Sequence, residues 1–397
     1  MSAGNIAKRW KELSGQQKWK GLLDPLDIDL RRYLIHYGEM AQATYDTFNS
    51  ERKSKFAGDS RYSMKHLFSK VGLISNNPFQ YQPVKYLYAT SKIGVPESFI
   101  LKPLSKEAWN GESNWIGYIA VATDSGKAVL GRRDIVLAWR GTVQPIEWVK
   151  DFDFPLKSAS EILGEDRNAH VHEGFLSIYT SDNPHSQYNK TSVREQMHDG
   201  LKQVLDQYKN EDVSLTITGH SLGAALTTLS AADIVANGLN RSKTRATKVC
   251  PVTAFAFACP RTGDWGFRQT CNSLDNLSIL RVQNTPDIVP NVPPLTAGYV
   301  DVGELLEFDT IRSMYLKPTG EFIRWHNLET YLHGVAGTQG INPFHLDVKR
   351  DIALVNKELD FVKTEYLVPA RWWLEKNKGM VQQKDGTWIL DDHEDDP

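Results

Sequence analysis

Five consecutive residues, Gly219-His220-Ser221-Leu222-Gly223, match the pattern G-x-S-x-G. A serine in this pattern is a candidate nucleophile when a strand leads in and a helix leads away. Both are expected here. LTITG at 215–219 is a short apolar strand, and the stretch from Ser221 to Gly238 is rich in Ala and Leu. The tight turn lifts the hydroxyl out of the sheet and sets a helix amino terminus beneath it, where free N–H groups favour negative charge. Glycine at both flanks removes Cβ atoms that would meet the crossing backbone. A glycine-rich turn that merely packs would carry the same letters, so the flanking elements decide between the two.

Serine is a weak nucleophile and needs a base, and the base needs a group to orient it. In sheets of this type the acid and then the histidine follow the serine in the chain. The acids in the right interval are Asp233, Asp264, Asp275, Asp287, Asp301 and Asp309. Asp287 stands out because it follows the expected strand SILRVQN, in a loop stiffened by Pro286 and Pro290. Strand ends are where such sheets place reactive groups. An ordinary turn aspartate fits the same position, and Asp301 and Asp309 remain alternatives. Three histidines lie late enough: His326, His333 and His345. His326 stands at the entry to an expected helix and His333 lies inside its apolar pattern, where a histidine is more often a hydrogen-bonded core residue. His220 points away from where a base must stand and suits a supporting role.

An oxyanion needs two donors. The backbone N–H of Leu222 is one, and the other should come from an earlier loop that follows a strand. Trp139-Arg140-Gly141-Thr142 follows DIVLA, with Gly141 permitting an unusual backbone and Thr142 offering an N–H and a hydroxyl. A plain strand exit would read the same.

The elements that must hold these groups follow from periodicity. Residues 29–48 and 192–208 space their apolar positions as helices, with Asp29 as a cap of the first. WIGYIAVA at 115–122 and DIVLAW at 134–139 are strands, with DSGKAVLGRR between them read as a turn. CPVTAFAFA at 250–258 and SILRVQN at 278–284 are further strands, with a helix near 264–274 between them. Strand alternating with helix predicts a largely parallel sheet covered by helices. One or two strands between 299 and 309, and helices at 327–336 and 348–363, complete the expectation.

The chain has 397 residues, 41% hydrophobic and 24% charged, which excludes a mostly disordered or fibrous protein. Forty-six basic against 48 acidic residues give a charge of −2 and no basic excess with which to meet nucleic acid. Cys250, Cys259 and Cys271 form no CxxC pair or disulfide framework, and no cofactor or metal site is expected. The charged amino terminus is unlike a signal peptide, and no run is long enough to span a membrane. The expectation is a cytoplasmic protein, peripheral at membranes at most, with the sequons at Asn189, Asn240 and Asn276 as chance matches.

AWRGT, HEGF at 172–175, TGHSLGAAL, FACPRTGD and RVQNTPDIVP together resemble the class 3 lipase family of α/β-hydrolases, which includes the fungal triacylglycerol lipases. The stretch from Trp10 to Asp27 and the segment WHNLETYLHGVAG extend the resemblance to the plant intracellular phospholipase A1 branch, class II. It implies an α/β-hydrolase fold, with residues 111–345 as the catalytic core. Residues 1–110 would be an amino-terminal helical extension and 391–397 an acidic tail. It implies a triad of Ser221, Asp287 and His326, with His333 as the alternative base, and an oxyanion hole at Thr142 and Leu222. It also places a lid at 144–154, where Trp148 and Phe152 lie among other apolar residues suited to acyl chains or to a packed helix. The implied activity is release of the sn-1 fatty acid from phospholipids, with galactolipids and acylglycerols as further substrates and transient contact with a lipid surface. A soluble esterase for small esters is one alternative. A lipase-like signalling scaffold is another, although only 71 residues follow His326, too few for the extra helical domain of such scaffolds.

Overall fold

A seven-stranded sheet carries the candidate residues in the computed structural model, which describes residues 4–104, 113–142, 155–241, 249–318, 322–339, 343–373 and 380–390. Its strands are β1 (Tyr81–Ala89), β2 (Asn114–Ala122), β3 (Arg133–Trp139), β6 (Val213–His220), β7 (Val252–Phe257), β8 (Leu277–Asn284) and β9 (Glu304–Phe308), hydrogen-bonded in that order. Two short strands, β4 (Leu156–Ser158) and β5 (His170–His172), pair as a separate hairpin. β1, β2 and β3 run antiparallel, and every pairing from β3 to β9 is parallel. Trp139 pairs with Gly219, His220 with Phe257, Phe257 with Val282 and Asn284 with Phe308. Parallel registry therefore brings the exits of β3, β6 and β8 to one end of the sheet, where groups far apart in sequence can meet.

Side chains alternate between two cores. On β3, Ile135, Leu137 and Trp139 join the core under helices Val193–Gln207 and Leu222–Ala236. Val136 and Ala138 face the opposite core, together with Phe255 and Phe257 of β7. This second face is covered by the helix Ile28–Thr47 and by Leu328–Ala336. It also buries a polar network. Asp134 accepts hydrogen bonds from Tyr37 and Tyr81, each at 2.7 Å, and from Thr216 at 2.9 Å. The fully buried Arg132 lies 3.3 Å from the same carboxylate. Burying that cation is tolerable only because it is matched in this way.

Several local expectations are corrected. The first long helix begins at Ile28 with Asp27 as its cap, which accepts from the N–H groups of Asp29 and Leu30. Near that start, Arg31 donates to the carbonyl of Val335 at 2.7 Å, and Arg32 pairs with Asp29 at 2.9 Å. DSGKAVLGRR is no simple turn. Asp124–Leu130 is helical, with Thr123 capping it and Gly131 closing it at φ 77°. The supposed helix at 348–363 is a short 3-10 turn, Ile352–Asn356. The amino-terminal region is also more than a helical extension. It supplies edge strand β1, and its long helix is buried along most of its length between the sheet and the late helix. The sequons at Asn189 and Asn240 are buried, and the acidic tail lies outside the described residues.

Candidate active site

Ser221 sits at the turn between β6 and the helix Leu222–Ala236, with φ 59° and ψ −126°. That conformation is costly for a residue with a side chain, about 1–3 kcal/mol, and persists only where its surroundings enforce it. They do so here. The Ser221 N–H donates to the carbonyl of Phe257 at 3.0 Å. A Cβ on Gly219 would run into the carbonyl of Gly223, and one on Gly223 into that of Trp139. The flanking glycines therefore allow the sharp crossing that the pattern implied.

The Ser221 hydroxyl lies 3.0 Å from Nε2 of His326. Nδ1 of the same ring lies 2.7 Å from Oδ2 of Asp287. A carboxylate can only accept, so Nδ1 carries the proton and the Nε2 lone pair faces the serine. Asp287 is fully buried. It also accepts from the hydroxyl of Tyr331 at 2.6 Å and from the N–H of Val289 at 3.0 Å. Three donors thus satisfy the buried carboxylate and hold it aimed at the His326 ring. Phe322 stacks flat against the His326 ring, 5.8 Å between centroids.

Thr142 is buried at the exit of β3, and its hydroxyl has no hydrogen-bond partner among the described residues. Leu222 opens its helix, so its N–H has no carbonyl one turn back to take it. Gly141 is needed for space, not for an unusual backbone as expected: a Cβ there would strike the Tyr45 hydroxyl and the His220 carbonyl. The strand-exit loop thus packs directly on the nucleophile turn. The guanidinium of Arg140 donates to the carbonyls of Trp115, Gly141 and Phe99 at 3.1, 2.8 and 3.3 Å. Burial lowers its pKa to about 10, which leaves it cationic at neutral pH.

The other candidates go elsewhere. His333 is buried with Nε2 2.7 Å from the Ser313 hydroxyl, and its ring stacks on Phe344. Desolvation pushes its pKa down to about 3. His345 is mostly exposed and pairs with Asp347. Asp301 bridges Arg261 and Arg281, Asp264 caps the helix Trp265–Ser273, and Asp309 accepts from the N–H of Ile311. Asp233 holds Arg194 and His198 within the helical layer. Trp148 and Phe152, with the whole segment proposed as a lid, lie outside the described residues.

Three contributors carried no recognisable sequence signal. Tyr331 shares a helix with His333, and only a buried phenol's need for a partner hints at its bond to Asp287. Asn284 donates to Thr310 at 2.9 Å and to the carbonyl of Trp325 at 3.1 Å, tying the β8 exit to the approach to His326. Tyr45 lies 2.7 Å from Nδ1 of His220, whose Nε2 lies 2.7 Å from the carbonyl of His326. The carbonyl must accept, so Nε2 carries the proton and Nδ1 receives the Tyr45 hydroxyl. Burial holds His220 well below its ordinary pKa, and hence neutral. His220 thus fixes the backbone of the candidate base and is not itself one.

Comparison with known proteins shows what the chain is similar to. The family model described as Lipase (class 3) matches residues 136–297, from β3 through Ser221 and Asp287. Phospholipase A1-IIgamma of Arabidopsis thaliana is 55% identical over 396 residues, covering 98% of this chain and 94% of that protein. Phospholipase A1-II 1 of Oryza sativa subsp. indica is 52% identical over 396 residues, covering 99% and 98%. Among solved structures, the Lip2 lipase of Yarrowia lipolytica aligns with 72% of this chain and 80% of its own, at 18% identity and a TM-score of 0.46.

Proposed function

The chain belongs to the class 3 lipase family, and from that premise we propose that it is a phospholipase A1 whose triad is Ser221, His326 and Asp287. What carries this is one unbroken line of hydrogen bonds, Ser221 to His326 at 3.0 Å and His326 to Asp287 at 2.7 Å, ending at a strained serine on a helix amino terminus.

The hydroxyl of Ser221 attacks the ester carbonyl as Nε2 of His326 takes its proton. Asp287 stabilises the imidazolium that forms, with Tyr331 and the Val289 N–H keeping its carboxylate in place. The oxyanion of the tetrahedral intermediate is held by the N–H groups of Leu222 and Thr142. The Thr142 hydroxyl, which has no partner among the described residues, is a further donor, and the helix amino terminus lies below. His326 then protonates the departing alcohol, and water enters by the same route to release the fatty acid. The bond cleaved in this reading is the sn-1 ester, so the first alcohol to leave is a 2-acyl lysophospholipid.

The substrate lies in a lipid surface, and the protein meets that surface transiently. Supporting this, Leu295, Ile311 and Met314 are all more than half exposed, on loops after β8 and β9 at the sheet end that carries Ser221. No helix among the described residues is long and apolar enough to cross a membrane.

The test is hydrolysis by the purified protein of phosphatidylcholine, a galactolipid, a triacylglycerol and a dissolved short-chain ester, with positional analysis of the products. Free sn-1 fatty acid and a 2-acyl lysolipid are expected. Ser221→Ala should lose on the order of 10⁶ in rate and all labelling by a fluorophosphonate probe. Substantial turnover by a folded Ser221→Ala variant would exclude the assignment.

A further inference from the structure

Beside His326 the fold leaves a cleft of about 320 Å³. It is lined by both His326 and Thr142, the candidate base and an oxyanion donor, which places it next to the reacting centre. Its side of the site is informative. In acyl transfer the base that accepts the serine proton must later protonate the leaving alcohol, so the leaving group lies against the histidine. In a phospholipid cleaved at sn-1, that leaving group carries the headgroup.

The walls mix apolar Phe48, Ile323, Leu328 and Leu359 with charged groups. An acyl chain asks for continuous apolar wall, whereas Arg61, Arg140 and Glu358 all line this cleft. Arg140 is committed to three backbone carbonyls and sits over the Phe48 ring at 3.9 Å. Arg61 and Glu358 are different. Arg61 is half-buried, and of its guanidinium nitrogens only Nε has a partner among the described residues, the Phe48 carbonyl at 3.1 Å. Glu358 is exposed and has no ion-pair or hydrogen-bond partner among the described residues. The two charges sense one another electrostatically without meeting.

Two opposite charges, unpaired and held apart in one cleft, are the complement of a zwitterion. We propose that this cleft is the headgroup subsite for a zwitterionic glycerophospholipid, with Arg61 donating to the phosphodiester and Glu358 facing the ammonium group. A guanidinium with both terminal amino groups available gives the forked geometry that phosphate oxygens accept. This rests on the phospholipase reading above and adds to it a direction and a selectivity: the headgroup lies on the His326 side, and choline or ethanolamine lipids are favoured over headgroups lacking an ammonium.

The test compares phosphatidylcholine, phosphatidic acid and diacylglycerol of identical acyl chains in the same mixed micelles. Arg61→Gln should lower kcat/KM for phosphatidylcholine about tenfold relative to diacylglycerol, the scale of one lost charge-assisted contact. Glu358→Gln should lower the ratio of phosphatidylcholine to phosphatidic acid hydrolysis by about twofold to fivefold, since only the former carries a cation. Glycerophosphocholine should compete with a dissolved short-chain ester in the wild type, where glycerol does not, a measurement that requires no variant to fold. Unchanged substrate ratios in folded variants, or no competition by glycerophosphocholine, would overturn the subsite. A wild type that cleaves diacylglycerol but no phospholipid would instead overturn the phospholipase reading itself.

Discussion

Removing His326 and removing His333 should have opposite consequences, although both are buried and only seven positions apart. His326→Ala takes away the one group 3.0 Å from the Ser221 hydroxyl, so acylation should be abolished in a protein that stays folded. His333→Ala should leave turnover largely intact and cost stability. It removes the side-chain partner of the buried Ser313 hydroxyl, which keeps the Tyr315 N–H, at a cost of about 0.5–1.5 kcal/mol, and opens a cavity against Phe344. His333 also has a pH signature. Its folded pKa is held near 3, below the ordinary 6.5, so the unfolded chain binds the extra proton. Stability is fully present above pH 6.5 and is lost as pH falls from there toward 3, at up to about 1.4 kcal/mol per pH unit. Denaturant melts across that range should show a shallower acid slope for His333→Ala than for wild type. If His333→Ala abolished turnover in a folded protein while His326→Ala did not, the base would be misassigned. At this scale the sequence was legible wherever chemistry is local. Ser221 and Asp287 announce themselves through glycine and proline neighbours. Helical position favoured His326 and left His333 as the alternative, because what distinguishes them is a partner 105 residues away for one and a serine 20 residues away for the other.

The helix Ile28–Thr47 reaches the site only through its end, where Tyr45 grips His220, and His220 in turn holds the His326 carbonyl. This makes the amino-terminal region a positioning element for the candidate base. Tyr45→Phe keeps the ring and removes one hydroxyl, leaving His220 Nδ1 without its donor. The expected result is a kcat lowered several-fold with KM little changed, because the base is less well placed while substrate contacts remain. A purely structural role would lower the melting temperature and leave kcat per folded molecule untouched. No local pattern gave this element its role: Tyr45 and His220 are 175 residues apart. Strand β1 escaped for a different reason. Its sequence, YQPVKYLYA, is broken by Pro83 and the charged Lys85, and its pairing with β2 slips at Pro83/Lys85 and again at Leu87/Tyr88. The segment at 348–363 has helical spacing, but Asn356 turns its side chain on the N–H groups of Phe361 and Val362 and ends the helix after one short turn.

Ser221 is only 1% exposed, which bears on how the whole molecule meets a substrate held in a lipid surface. A nucleophile so covered requires some part of the structure to give way before a diacyl lipid enters. The exposed Leu295, Ile311 and Met314 supply a driving force where the lipid is. Each large apolar side chain moved from water into lipid contributes roughly 1.5–3 kcal/mol if fully buried, and less if only partly. Two of them would therefore strengthen attachment by tenfold or more, since about 1.4 kcal/mol is one decade. The rate on an ester substrate should then rise steeply once that substrate aggregates. The double variant Leu295→Ser, Met314→Ser should bind phosphatidylcholine vesicles more weakly and show a smaller rise, while its rate on a dissolved short-chain ester stays close to that of wild type. The measurements are sedimentation with vesicles, and rate against substrate concentration across the aggregation point. A smooth saturation curve in the wild type, or equal vesicle binding by the double variant, would mean that these loops do not face the lipid. The opening step would then have to be driven from within the protein.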